Sequence, residues 1–128
     1  MTRPPSGVPP PRTAKLAGAE VPLTPLAEAI AERYFAEFPD DLDRYGEAAR
    51  AWEIHDTLYC LQWAFLDVED LADITREVAW LSDVLAARAF PLERLARNLE
   101  LAADVVAERV SEPVAARLRA AVNSVPRG

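Results

Sequence analysis

The residue types best suited to catalysis are scarce, because the chain contains one histidine, His55, and one cysteine, Cys60. Five residues apart on a helix, their side chains point about 140° apart, so they cannot act together as nucleophile and base. No strained elbow or glycine-rich turn surrounds Ser82, Ser111 or Ser124, as a hydrolase triad would need. A disulfide needs two thiols, and a structural zinc site needs four ligands. We therefore expect no enzymatic activity, no metal site and no cofactor.

His55 belongs instead to a predicted helix, residues 47–67, that carries two apolar stripes. One stripe spans about 100° of arc and predicts the core seam; its members are Ala51, Ile54, Leu58, Leu61, Phe65 and Val68. The second stripe lies about 130° away; its members are Trp52, His55, Tyr59, Trp63 and Leu66. The remaining narrow edge is expected to face water and consists of Glu53, Asp56, Cys60 and Asp67.

A helix that is apolar over most of its circumference must be covered on two sides. The cover is either other helices of the same domain, a second protein subunit, or a planar ligand held between helices. Trp80 and Val84 lie on the outward side of the next predicted helix, where Trp80 is either covered by the last helix or binds a partner. The residues predicted to bind a partner or a ligand are Trp52, His55, Tyr59, Trp63, Leu66, Trp80 and Val84. His55 is either a hydrogen-bonded core residue or an axial ligand of haem.

Charge and composition narrow the classes of partner. The chain has 128 residues and a net charge of −7, with a pI of about 4.7. A surplus of negative charge repels phosphate backbones, and no basic cluster beyond Arg117-Leu118-Arg119 offsets it, so we expect no nucleic-acid binding. No apolar run predicts a signal peptide or a membrane span, which makes the cytoplasm the default location. Thirteen arginines and one lysine, with abundant alanine, indicate GC-rich bacterial coding.

The spacing of apolar residues predicts an all-α protein of four to five helices. Residues 24–125 form a single helical domain in this prediction, because apolar positions recur every three or four residues from Thr24 onward. Seven of the eleven prolines lie in the first 25 residues. We therefore predict that residues 1–23 form a disordered, proline-rich arm, which is either a solvated leader, a tether, or a ligand for a proline-recognition groove.

Two segments give the chain a resemblance to a known family. Residues 45–61 and the turn Phe90-Pro91-Leu92-Glu93 are similar to the middle of phycobiliprotein-type globins, and Asp56, Tyr59 and Leu61 match the family's Cys-x-x-Asp-x-x-Tyr-Tyr-Leu helix. The resemblance covers roughly residues 24–110 and implies a globin-like helical fold. The family includes light-harvesting biliproteins, haem globins and cofactor-free sensor globins of bacterial stress-signalling assemblies.

Departures from the family pattern favour its cofactor-free branch. Glu53 stands where the bilin-bearing cysteine would be, and Cys60 occupies the position of a tyrosine. Residues 71–89 contain no histidine to serve as a proximal haem ligand. We therefore expect a non-enzymatic bacterial sensory or scaffold module that binds a protein partner or forms a homo-oligomer. The alternative is a carrier of haem, bilin or another planar small-molecule ligand on the face of Trp52, His55, Tyr59 and Trp63.

Overall fold

The structure, a computed structural model, describes residues 3–126, and its architecture is predominantly α-helical, as predicted. The described chain contains a two-stranded hairpin followed by six helices, one more than the upper end of the prediction. The elements are β1 (Thr13–Leu16), β2 (Ala19–Pro22), α1 (Thr24–Glu37), α2 (Asp40–Tyr45), α3 (Ala48–Val68), α4 (Ile74–Ala87), α5 (Leu92–Arg109) and α6 (Glu112–Val122). Among residues 3–126, no helix combines the length and the apolar character needed to cross a membrane.

The hairpin corrects the prediction of a disordered arm. β1 and β2 pair antiparallel, and Ala17 and Gly18 form the connecting turn, both with positive φ as a type I′ turn requires. The amide of Leu23 donates to the carbonyl of Arg12 at 2.7 Å, and the Leu23 side chain is fully buried. Of the predicted arm, residues 13–23 are therefore part of the fold, whereas residues 1 and 2 lie outside the described range.

Side-chain caps explain where α4 and α6 begin. The Asp73 side chain accepts hydrogen bonds from the amides of Thr75 and Arg76, which fixes the start of α4. Ser111 caps α6 through the amide of Val114, so α5 and α6 are separate helices rather than one kinked helix.

Helix α3 lies at the centre of the molecule and contacts α1, α4, α5, α6 and β1. Its buried residues are Ala48, Ala49, Thr57, Leu58, Cys60, Leu61, Ala64 and Phe65. This buried arc is rotated by about 50° from the predicted seam, toward the edge that was expected to face water. The seam prediction is confirmed for Leu58, Leu61 and Phe65, but it is wrong for Ala51, which is exposed.

Candidate functional site

The aromatic stripe of α3 forms a continuous ladder of rings nearly opposite the buried arc. The rings of Trp52 and His55 meet edge to face with centroids 5.4 Å apart, and His55 meets Tyr59 in the same way at 5.2 Å. Tyr59 stacks on Trp63 at 5.9 Å. These distances lie in the favourable range for aromatic pairs. The four side chains remain partly exposed, so the ladder is a surface that no helix of the fold covers completely.

Helix α4 supplies the opposite wall of a groove above this ladder. Trp80 is 58% exposed and, like Val84, lines the same space of about 560 Å³ as the four ladder residues. The Arg88 guanidinium lies 5.1 Å from the ring centroid of Trp52 and holds that ring by a cation–π contact. We call the surface formed by Trp52, His55, Tyr59, Trp63, Trp80 and Val84 the aromatic groove. Its volume lies within the range of ligand-binding clefts.

The proline-rich segment, residues 3–12, lies along the aromatic groove. The Trp52 indole N–H donates to the carbonyl of Arg3, and the Tyr59 hydroxyl lies 3.4 Å from the carbonyl of Val8. Four of its prolines, Pro4, Pro5, Pro9 and Pro10, line an open surface cleft of about 350 Å³ beside α3. Pro10 is buried, whereas most of residues 3–12 are exposed, so this segment covers the helix only in part.

His55 occupies the middle of the ladder and has a polar neighbour. Its Nδ1 lies 3.0 Å from Oδ1 of Asp56, which leaves Nε2 as the nitrogen available to a ligand. Within residues 3–126, no group of His, Cys, Asp and Glu side chains is arranged to hold a metal ion.

Another side of α3 carries a polar cluster that includes Glu53, which was expected to face water but is partly buried. Thr57 is fully buried; its hydroxyl donates to Oε2 of Glu53 at 3.1 Å and accepts from the side-chain amide of Asn98 at 3.0 Å. Burial raises the pKa of Glu53 well above its ordinary value, and the nearby carboxylates Asp56 and Asp41 raise it further. Burial also raises the pKa of the Cys60 thiol, which makes it an inert core residue rather than a nucleophile.

A second buried group adjoins this cluster and ties three helices together. Asp41, which is 2% exposed, accepts a hydrogen bond from the Tyr34 hydroxyl and pairs with the Arg94 guanidinium at 2.6 Å. Arg94 also pairs with Asp40 at 2.9 Å. Burial and the hydrogen bond to Asp41 raise the pKa of Tyr34. The pairing leaves no uncompensated charge on Asp41, which explains how a carboxylate is tolerated there.

Of the seven predicted site residues, the structure brings six together in the aromatic groove. Leu66 does not line it and is only partly buried near the end of α3. Sequence reasoning missed the polar cluster of Tyr34, Asp41, Glu53, Thr57, Arg94 and Asn98. Asn98 is the residue that could have indicated this cluster from the sequence, because it is a polar residue on the apolar face of α5, beside the buried Leu95 and Leu99.

Comparison with known protein families, curated proteins and solved structures found no match for this chain. The resemblance to phycobiliprotein-type globins therefore stays a prediction from the sequence.

Proposed function

We propose that this protein is a non-enzymatic bacterial protein-interaction module of the cytoplasm, and that the aromatic groove binds an extended, proline-rich segment of a partner protein. Grooves lined with aromatic side chains recognise such segments because an extended proline-rich chain is already ordered and presents unpaired backbone carbonyls. Tryptophan and tyrosine suit this role, since each combines a large apolar ring with a hydrogen-bond donor.

The observation that carries the proposal is the position of the chain's own residues 3–12. Two donors of the ladder, the Trp52 indole and the Tyr59 hydroxyl, lie at carbonyl oxygens of this segment. Backbone carbonyls are common to every sequence, so the same donors can serve a segment of another protein in the same conformation. The chain's own segment is thus an internal example of the proposed ligand class.

The loose fit of this segment favours exchange with a partner. Most of residues 3–12 are exposed, and Val8 is 83% exposed although it lies beside the ladder. Trp80 on the opposite wall also remains largely exposed. A competing segment can therefore gain apolar contacts that the chain's own segment does not make.

Charge favours a partner segment with flanking basic residues. The aromatic groove is lined by the carboxylates of Asp56 and Glu77 and by one cation, Arg88, which lies on Trp52, and the whole chain has a net charge of −7. The chain's own segment carries Arg3 and Arg12 at its two ends. Opposite charge raises the association rate and helps to set the register of the bound segment.

A direct test uses a variant lacking residues 1–11 and a synthetic peptide with the sequence of residues 1–12, titrated by calorimetry. We expect saturable binding at one peptide per chain. Tyr59→Phe should weaken it by about 3- to 10-fold, because one hydrogen bond to the peptide is lost. Tyr45→Phe is the matched control, since Tyr45 does not line the aromatic groove.

Two outcomes would count against this proposal. Absence of binding by a variant that melts cooperatively would contradict it. Dimers of the full-length chain that dissociate when residues 1–11 are removed would identify a second copy, rather than another protein, as the source of the segment.

A planar ligand is the second candidate, and His55 is the observation that favours it. Asp56 engages Nδ1 of His55, an arrangement that orients imidazoles toward metal ions in many proteins. Haemin titration distinguishes the candidates: a sharp Soret band at one haem per chain, abolished by His55→Ala, supports a carrier. We expect a weak, non-saturating change that survives this substitution.

A further inference from the structure

A small cavity of about 40 Å³, partly open to solvent, lies between α3, α5 and the segment around α2, on the side of α3 that carries Glu53. This volume has room for about three water-sized groups. Its walls are mostly apolar and aromatic, with contributions from Phe35, Tyr45, Trp52 and Phe90. The polar side chains that also line it include Glu53, Asp56 and Asn98.

Asn98 presents an unpaired acceptor at this cavity. Its side-chain nitrogen donates to Thr57, whereas Oδ1 has no hydrogen-bond partner among the described residues, although Asn98 is only 6% exposed. A buried amide oxygen without a donor costs free energy, so natural proteins rarely leave one unpaired. A group that pairs with this oxygen must supply an N–H or O–H donor.

The charged groups around the cavity favour an occupant with a positive charge. Arg94 is the basic side chain among the lining residues, and it is already paired with Asp40 and Asp41. Glu53 receives a hydrogen bond from Thr57 but has no cationic partner within residues 3–126. A positively charged occupant would relieve the cost of ionising this carboxyl group.

We propose that this cavity binds a small primary ammonium ion, with Asn98 Oδ1 and Glu53 as acceptors and the aromatic walls around the cation. A primary ammonium group carries three N–H donors, which meets both acceptors at once. Aromatic rings attract such cations through their negative faces. A quaternary ammonium ion lacks the donors, and a neutral alcohol of equal size lacks the charge. The proposal does not depend on the proposed function, because Glu53 and Asn98 do not line the aromatic groove, although Trp52 and Asp56 line both spaces.

Ethylammonium is the probe matched to the cavity, because its three non-hydrogen atoms suit the available volume. The efficiency limit for so small a ligand puts the dissociation constant at about 1 mM or weaker. Titration of the full-length protein at constant ionic strength, followed by NMR, should give saturable shifts of the Asn98 side-chain amide. Asn98 and Asn123 are the two asparagines of the chain, so the second amide is an internal control.

Ethanol and tetramethylammonium, titrated into the same wild-type protein, should give no saturable shift of the Asn98 amide. Glu53→Gln should weaken ethylammonium binding by at least about tenfold, because a charge-assisted hydrogen bond is lost. Glu32→Gln, an exposed site on α1, should leave it unchanged. Failure of ethylammonium to saturate the wild-type signal, or equal binding of ethanol, would overturn the proposal. If Glu53→Gln does not fold, the three-probe comparison on the wild type still decides it.

Discussion

The two sides of α3 both carry large apolar side chains, but they are covered very differently. Leu61 and Phe65 on the inner side are at most 1% exposed, and helices of the same chain enclose them. Trp52, Tyr59 and Trp63 on the outer side remain partly exposed, and residues 3–12 contact only Trp52 and Tyr59 among these three through hydrogen bonds. The inner side thus holds the fold together, whereas the outer side keeps apolar surface available for binding. The apolar character of a helix face therefore does not by itself identify it as part of the core.

The largest loss of stability should come from truncating a side chain on the inner side of α3. Phe65→Ala removes a fully buried ring from the core and should lower the free energy of unfolding by about 3–5 kcal/mol. Trp63→Ala removes an even larger side chain from the outer side, but it should cost clearly less, because Trp63 packs against the core while remaining only partly buried. Urea unfolding of both variants gives the comparison. Equal destabilisation would show that the aromatic ladder is ordinary core.

Two deletions of different length should distinguish the contribution of the hairpin to stability from that of the segment before it. Removing residues 1–23 eliminates the fully buried Leu23 and the partly buried Ala14, Leu16 and Val21, so it should cost at least about 2 kcal/mol. Removing residues 1–11 should cost less, about 1 kcal/mol, because Pro10 is the one buried residue among residues 3–11. Thermal unfolding of the two truncated chains provides the measurement. A similar loss in both would mean that residues 3–11 are as firmly packed as the hairpin.

Glu53, in the polar cluster of α3, should make the free energy of unfolding depend on pH. Because burial raises the pKa of Glu53, the folded chain keeps a proton that the unfolded chain releases above about pH 4.3. The stabilising effect of that proton is present at low pH and is lost as the pH rises toward the raised pKa. Glu53→Gln cannot titrate, so its stability relative to the wild type should increase between about pH 4.5 and about pH 7.5.

Chemical unfolding of wild type, Glu53→Gln and the exposed control Glu32→Gln at both pH values measures this difference.

The titratable and charged groups around Glu53 are Asp56 and Cys60 on its own helix, Tyr34 on α1, Asp41 on α2 and Arg94 on α5. Parallel pH profiles for wild type and Glu53→Gln would contradict the assignment of a raised pKa to this carboxyl group.

The helices could be predicted from sequence because their apolar spacing and capping residues are local signals. Pro25 lies at the start of α1 and Pro91 immediately precedes α5, positions where proline is favoured. The hairpin could not be predicted: its strands have four residues each, and its turn is Ala17-Gly18 rather than a strong signal such as Asn-Gly. Its proline-rich surroundings favoured disorder instead.

The six residues of the aromatic groove were accessible to sequence reasoning because large aromatic side chains repeat on one face of a helix. The polar cluster was not, because a helical wheel gives angles between residues but not the direction from which neighbours approach. Glu53 and Thr57 face neighbouring helices because Asn98 on α5 donates a hydrogen bond to Thr57, which in turn donates one to Glu53. Contacts between residues 41 positions apart leave no periodic signal in the chain.

The central claim is that the chain's own residues 3–12 occupy the site of a partner segment, and competition tests it most directly. The affinity of one peptide, residues 1–12, should be compared between the full-length chain and the chain lacking residues 1–11. A tethered segment acts at a high effective concentration, so the full-length chain should bind the peptide at least about tenfold more weakly. Equal affinity of the two chains, or no binding by either, would contradict the account.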